Sequence, residues 1–394
     1  MKVSLAPSST FEPVKQPGTA LPGEPILDVR GPRTILGWSA DEFAVAIQPS
    51  PQSLFGPRGV CLHPNGSLWV SDTGHHRLLG WKETPTDDNA QADVLIGQKD
   101  FGSEGRNGKQ PPSAHSVNVP TGINTFRDGL VVADAWNHRI LIWNQVPGYS
   151  NQPADIVLGQ SNFQDNLANK GIDRPAADTL HWPYGVAEIS GKLIVCDTGN
   201  RRILIWNDVR ESGQAADLVL GQSDFNTRDE NAGASVSSMS MRWPHQICKW
   251  GDYLAVADAG NNRIMLWEGI PTEIGAACTS VLGQTNFADC DHNLGDYYPS
   301  NKAVNMPYAL ACHDEKLIVG DTANSRVLSW EGADIGDAAT GLTGQPDFSA
   351  KGDNRWGVAE RDSLCWPYGL SVREGSVAIA DSGNNRILIW DISQ

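Results

Sequence analysis

The segment Asp72-Thr73-Gly74-His75-His76-Arg77-Leu78-Leu79-Gly80-Trp81 decides the fold, because it returns five more times along the chain. The other copies also begin with Asp and end with Trp, and they span residues 134–143, 197–206, 258–267, 321–330 and 381–390. Successive Asp residues lie 60 to 63 positions apart in a chain of 394 residues. A fixed period of this length is typical of repeat architectures, so one structural unit is copied six times.

Each unit has the pattern of four short β-strands. In the third unit, Pro183 precedes an apolar run at 185–189, a polar turn, a second run at 193–196 and the strand-like segment Arg202–Trp206. A last apolar run ends in Val-Leu-Gly-Gln. Short β-branched and aliphatic runs bounded by Gly, Asn, Asp and Pro predict strands rather than helices. Six such units predict an all-β protein, a six-bladed β-propeller.

The two ends of the sequence predict how the ring closes. The sixth unit stops at Gln394 after its third strand, and residues 33–38 have the missing fourth-strand pattern. We therefore expect an N-terminal strand to complete the last blade, which would remove two sheet edges. Residues 26–394 are predicted to form one propeller and residues 1–25 an N-terminal extension. The blades are centred on Asp72, Asp134, Asp197, Asp258, Asp321 and Asp381.

Composition narrows the partners and the compartment. The formal charge of −16 argues against nucleic acid as the main partner, because Lys and Arg supply that affinity. The 14 Trp exclude a disordered chain, and no apolar run approaches the roughly 18 residues of a membrane helix, so no membrane partner is expected. Seven Cys without a CxxC pair and a start without an apolar stretch predict a cytoplasmic protein. Export, with the signal peptide removed, is the alternative.

The Asp-x-x-Asn-x-Arg core of the repeat, with Asn137-His138-Arg139 in the second copy, resembles the NHL-repeat family of six-bladed propellers. The Val-Leu-Gly-Gln-x-(Asp/Asn)-Phe segment is similar to bacterial NHL-repeat proteins. The resemblance covers roughly residues 26–392. It implies function only in outline, since NHL propellers serve as ligand-binding sensors, RNA-binding modules, interaction scaffolds and, in one lineage, a metal-dependent amidating lyase.

Residues that recur in every unit are predicted to be structural, because catalysis needs one differentiated group of side chains. Each repeated Asp precedes an Arg by five residues, so its carboxylate can accept turn N–H groups and pair with the guanidinium. A ring of acids that binds a cation is the alternative. The repeated Trp is predicted to pack between blades. His75 and His76 occur only in the first copy and are predicted to lie in a solvent-exposed turn.

Candidate binding residues flank the Pro that opens each blade, where the units differ most. The loops between blades and the loops between second and third strands share one face of a propeller, so these residues should converge at its axial mouth. An aromatic, mildly basic funnel suits a planar or anionic small ligand or a peptide side chain. Packing of the first strands is the alternative. The predicted binding residues are Arg58, His181, Trp182, Tyr184, Trp243, His245, Tyr308, Trp366 and Tyr368.

The leading hypothesis is a non-catalytic binding or scaffold propeller that presents its loop face and axial mouth to a protein partner or small ligand. No GxSxG elbow, Gly-rich phosphate loop or HExxH spacing is present, so no catalytic residue, metal ligand or cofactor is predicted. A metal-assisted lyase or hydrolase, with an axial metal ion, is the alternative. An RNA-binding module ranks third because of the negative charge.

Overall fold

The computed structural model describes residues 22–37 and 48–393. These residues form six β-sheets, one for each repeat, and each sheet contains four antiparallel strands. The sheet of blade 5 carries a fifth strand. The structure confirms the predicted all-β, six-bladed propeller.

The four strands of a blade follow one another outwards from the axis, except that blade 6 takes its outermost strand from the N-terminal part of the chain. In that order the strands are Gly59–Leu62, Leu68–Asp72, Arg77–Trp81 and Val94–Ile96 in blade 1; Pro120–Phe126, Gly129–Asp134, Arg139–Trp143 and Ile156–Leu158 in blade 2; Val186–Ile189, Lys192–Asp197, Arg202–Trp206 and Leu218–Leu220 in blade 3; Pro244–Trp250, Tyr253–Asp258, Arg263–Glu268 and Ser280–Leu282 in blade 4; Pro307–His313, Lys316–Asp321, Arg326–Trp330 and Gly341–Thr343 in blade 5; and Pro367–Arg373, Ser376–Asp381, Arg386–Asp391 and Thr34–Leu36 in blade 6.

The helices of the described residues are all short 3₁₀ turns, and none is long and apolar enough to cross a membrane. One set joins the second and third strands of each blade and comprises Thr73–His75, Ala135–Asn137, Thr198–Asn200, Ala259–Asn261, Thr322–Asn324 and Ser382–Asn384. A second set lies in the loops between blades and comprises Arg106–Lys109, Ala168–Gly171, Glu230–Gly233, His292–Gly295 and Asp353–Trp356.

The N-terminal part of the chain adds strands to two sheets. Thr34–Leu36 pairs antiparallel with Arg386–Asp391 of blade 6, and its three side chains are fully buried. Glu24–Pro25 pairs in parallel with Gly341–Thr343 of blade 5, although the sequence analysis assigned these two residues to the extension. One short segment therefore contacts both blades.

The hydrophobic core lies between neighbouring blades. One cluster combines Val131 and Ile142 of blade 2 with Val195 and Trp206 of blade 3. The six repeated Trp side chains are at most 3% exposed, and each indole N–H donates to a backbone carbonyl. Their predicted packing role is confirmed for Trp81, Trp143, Trp206, Trp267, Trp330 and Trp390.

Each blade contains a buried Asp–Arg ion pair, as predicted. In blade 3, Asp197 Oδ2 accepts hydrogen bonds from Arg202 Nε and Asn200 Nδ2, both at 2.7 Å. Asp197 Oδ1 accepts the backbone N–H of His181 at 2.7 Å. That N–H belongs to the segment before the opening Pro, not to the turn, and the same bond recurs in the other five blades. The carboxylate thus fixes the start of the first strand, where the candidate residues lie.

The prediction that His75 and His76 lie in a solvent-exposed turn is wrong. His75 is fully buried, and its Nδ1 lies 2.8 Å from Asp72 Oδ2. His76 is half-buried, and its Nδ1 accepts the N–H of Val119 at 3.1 Å. The imidazole of His75 contacts the repeated carboxylate at the position where the other units have an Asn amide. The difference in residue type between His and Asn did not show that the two side chains make the same contact.

Candidate binding face

Close contact between the first strands positions the candidate residues at the axis. The N–H of Gly122 donates to the carbonyl of Tyr184 in the next blade at 2.9 Å. A Cβ atom on Gly59 would lie 2.1 Å from the carbonyl oxygen of Thr121, so the backbones leave no space for a side chain there. The residue just before this close contact, directly after the opening Pro, is therefore held next to its counterpart in the neighbouring blade.

Five of the nine predicted residues converge around one axial cavity. His245 stacks on Tyr308 with ring centroids 4.1 Å apart and an interplanar angle of 8°. Tyr184 lies 4.5 Å from His245, and Tyr368 lies 4.7 Å from Tyr308. Arg58 closes the circle, because its guanidinium lies 4.9 Å from the Tyr368 centroid and its Nη1 donates to the Tyr184 hydroxyl. We call these five residues the axial ring.

The axial ring has a single charge at neutral pH, on Arg58. Burial lowers the pKa of His245 to about 4, so its imidazole is neutral. Burial also raises the pKa of the Tyr308 and Tyr368 hydroxyls, which keeps them protonated. The ring encloses a cavity of about 20 Å³, which is room for about one water molecule. Towards the opposite face the channel widens to about 340 Å³ between the first strands.

The other four predicted residues lie outside the axial ring. Trp182, Trp243 and Trp366 are 47%, 36% and 48% exposed, and none lines the axial cavity. His181 is half-buried beside Trp182, with ring centroids 4.6 Å apart. The sequence predicted a single funnel. The structure instead has two layers, a closed ring at the axis and an exposed set of indoles around it.

Phe55 and Trp136 are aromatic side chains of this face that are not among the nine predicted binding residues. Phe55 is 47% exposed and accepts the N–H of Gly74 through its carbonyl, beside the turn of blade 1. Trp136 is 43% exposed within the 3₁₀ turn of blade 2. The signal was available, because the other five turns have Gly or Ala where blade 2 has Trp. We call the exposed set the aromatic collar, which comprises Phe55, Trp136, Trp182, Trp243 and Trp366.

Neighbouring cations orient two residues of the collar. The Arg106 guanidinium lies 4.8 Å from the Trp136 ring, and that of Arg242 lies 4.9 Å from the Trp243 ring. Stacking of this kind contributes roughly 0.5–1 kcal/mol at exposed sites. It holds large apolar surfaces open to solvent instead of letting them collapse onto the propeller.

A hydrogen bond between blades fixes the residue before each opening Pro. The N–H of Trp182 donates to His138 Nδ1 at 3.1 Å, and Trp182 has a left-handed φ of 48°. Four other junctions repeat this bond with His76, Asn262, Ser325 or Asn385 as the acceptor. Arg201 occupies the position before blade 4 and has no acceptor. There Trp243 donates to Asp258 at 3.3 Å and is not left-handed, so this indole leaves the backbone in a different direction.

This bond predicts an acid-sensitive contact. Burial lowers the pKa of His138 to about 4, and a protonated imidazole cannot accept the Trp182 N–H. A folded-state pKa below the unfolded value of about 6.5 means that stability is complete above pH 6.5 and is lost as the pH falls towards 4. We expect His138→Asn to keep the bond, as Asn262 does in blade 4, and to remove roughly 2 kcal/mol of the loss between pH 7.5 and pH 5. Urea unfolding at the two pH values measures this, and an unchanged pH dependence would contradict it.

Among residues 22–37 and 48–393, no three His, Cys, Asp or Glu side chains are grouped as metal ligands. The axial ring has one imidazole and no carboxylate, and all seven Cys are free thiols. The predicted lack of a cofactor stays a prediction, and metal analysis of the purified protein tests it.

The fold and this face define the class of protein, a six-bladed β-propeller with an aromatic loop face. The family model described as the NHL repeat matches residues 56–81, which contain the first copy of the repeat. The chain is also 24% identical over 306 residues to human NHL repeat-containing protein 2, covering 71% of this chain. It spans only 39% of the length of that relative. The matched repeat recurs in all six blades, which supports the NHL-repeat propeller that the sequence predicts.

Two solved structures have a similar architecture. Kuenenia stuttgartiensis hydrazine synthase is 11% identical with a TM-score of 0.49, covering 89% of this chain and 98% of that chain. A streptogramin B lyase is 12% identical with a TM-score of 0.42, covering 89% of this chain and 96% of that chain.

Proposed function

We propose that the protein is a non-catalytic binding propeller that docks a protein partner on its loop face. The observation that supports this is the aromatic collar, whose five large side chains are each 36% to 48% exposed. Aromatic residues, and Trp above all, dominate the binding energy of protein interfaces. A monomer that exposes several of them on one face has the apolar centre of such an interface already formed.

The geometry favours a protein partner over a free small ligand at the mouth. Small-molecule pockets usually have volumes of about 300–1,000 Å³, whereas the axial ring encloses only about 20 Å³. The side chains predicted to line a pocket fill the space by stacking on one another. What they leave accessible is an aromatic surface, which suits the surface of another protein.

The test is affinity capture from a lysate of the source organism with a tagged protein and a Trp182→Ser/Trp366→Ser variant. We expect the wild type to retain a specific protein, and the variant to retain at least ten-fold less, because each lost indole removes a large apolar contact. Both side chains are about half exposed, so the variant should fold normally, and circular dichroism melting checks this.

The matched control is Tyr149→Ser, which removes an aromatic side chain that is 62% exposed in the loop between the third and fourth strands of blade 2. It should retain the same protein as the wild type. Equal capture by the wild type and the collar variant would overturn the proposal. Nanomolar binding of RNA to the wild type at physiological salt would favour the RNA-binding alternative.

A further inference from the structure

We propose that Arg58 receives a single carboxylate of the docked partner, so that the partner is recognised by one acidic group set among apolar residues. This inference rests on the proposed function. It adds the chemistry that would be recognised at the centre of the aromatic collar.

Arg58 has no carboxylate partner among residues 22–37 and 48–393. No Asp or Glu oxygen in the described ranges lies within 4 Å of its guanidinium nitrogens, whereas six other Arg residues form fully buried ion pairs. Within the part of the chain that the structure describes, its one side-chain hydrogen bond goes from Nη1 to the Tyr184 hydroxyl. The remaining N–H groups of the fork point to no acceptor in the described chain, and a guanidinium fork matches the geometry of a carboxylate.

The surroundings of Arg58 strengthen its attraction for an anion. Its guanidinium lies 4.9 Å from the centroid of Tyr368 and 5.8 Å from that of Tyr184, with no negative charge in the ring. His245 is neutral because burial lowers its pKa to about 4. A charge pair formed among aromatic rings, away from bulk water, is stronger than the same pair on an open surface.

The size of the ring and the charge of the chain restrict the anion to one carboxylate. The cavity of about 20 Å³ has room for about one water-sized group, so a side chain or a chain end can enter only by its tip. The whole chain carries a net charge of −16. An acidic run would therefore be repelled by the rest of the molecule. A lone acid flanked by apolar residues would meet Arg58 in the centre and indoles at the rim.

Three short peptides test the proposal by saturation-transfer NMR. Acetyl-Leu-Glu-Leu-amide carries a side-chain carboxylate, acetyl-Leu-Leu-Leu with a free C-terminus carries a main-chain carboxylate, and acetyl-Leu-Gln-Leu-amide is the neutral control. We expect at least one carboxylate peptide to bind the wild type at least ten-fold more tightly than the control. Which one does so identifies the source of the carboxylate.

Arg58→Gln should reduce this binding to that of the neutral peptide, and Arg58→Lys should restore part of it. Arg174→Gln is the matched control, because it removes the same charge from an exposed loop residue that does not line the axial cavity. Tyr184→Phe removes only the hydrogen bond that orients the guanidinium, so it gives a milder change if Arg58→Gln folds poorly. Carboxylate binding that is equal in wild type and Arg58→Gln would overturn the proposal.

Partner capture separates this proposal from the proposed function. If the partner is lost from the Trp182→Ser/Trp366→Ser variant and retained by Arg58→Gln, the carboxylate site is wrong and the docking face stands. If both variants retain it, the docking face is wrong as well. If no peptide binds the wild type, the partner-capture experiment with Arg58→Gln decides the question. Capture of the partner by Arg58→Gln at the level of the wild type would then refute the carboxylate site. A ten-nucleotide poly(U) probe tests the RNA alternative. Binding of this probe to the wild type that is lost in Arg58→Gln would identify an RNA site instead of a carboxylate site.

Discussion

Replacing Asp197 with Asn is expected to lower the free energy of unfolding by about 3–5 kcal/mol. The side chain keeps its shape but loses the charge that Arg202 needs, and both groups are fully buried, with Oδ2 and Nε 2.7 Å apart. An Arg guanidinium left alone in the core cannot be neutralised, because its pKa is too high. Chemical unfolding followed by tryptophan fluorescence measures the loss, since Trp206 ends the strand that Arg202 begins.

The control for this experiment is Asp208→Asn in the same blade. Asp208 is about half exposed and pairs with Arg210 and Arg127 on the surface. Pairs of this kind contribute little to stability, because water screens them. Similar losses in the two variants would contradict the structural role of the buried pairs, and a loss below about 1 kcal/mol in Asp197→Asn would do the same.

Deleting residues 1–40 is expected to abolish cooperative unfolding. The deletion removes both N-terminal strands and four apolar side chains, Ile26, Leu27, Ile35 and Leu36, each at most 7% exposed. Burial of each contributes about 1.5–3 kcal/mol, so the total loss exceeds about 6 kcal/mol, which is comparable to the whole stability of a typical domain. The deletion also leaves the third strand of blade 6 and the fourth strand of blade 5 as open edges.

Differential scanning calorimetry measures the effect of the deletion. A shorter deletion of residues 1–21 is the matched control, because it keeps both paired strands, and we expect it to retain a single cooperative transition. A melting curve that is unchanged when residues 1–40 are removed would contradict the closure of the ring by the N-terminal strand.

The candidate site was predictable only in part, and the reason is geometric. Position after the opening Pro was enough to select Arg58 and Tyr184, because every first strand starts beside its neighbour at the axis. The residues before the opening Pro do not share one backbone conformation in the six blades. Trp182 and Trp366 have a left-handed φ, and the N–H of each donates to a side chain of the preceding blade, whereas Trp243 is not left-handed and still lies in the collar. Trp136 lies in the turn between the second and third strands, apart from the residues around the Pro to which the binding prediction was confined.

The sequence by itself determined the number of blades, the four strands of each unit and the recurring Asp–Arg and Trp positions. A period of about 62 residues and short apolar runs bounded by turn residues depend only on local chemistry, and six copies repeat the same constraints. Only the tertiary structure decided that the axial ring is closed, that Arg58 has no carboxylate partner among the described residues and that the collar is exposed. The contacts of the axial ring join residues of different blades, where packing between blades, and not the residue type, sets each distance and each burial.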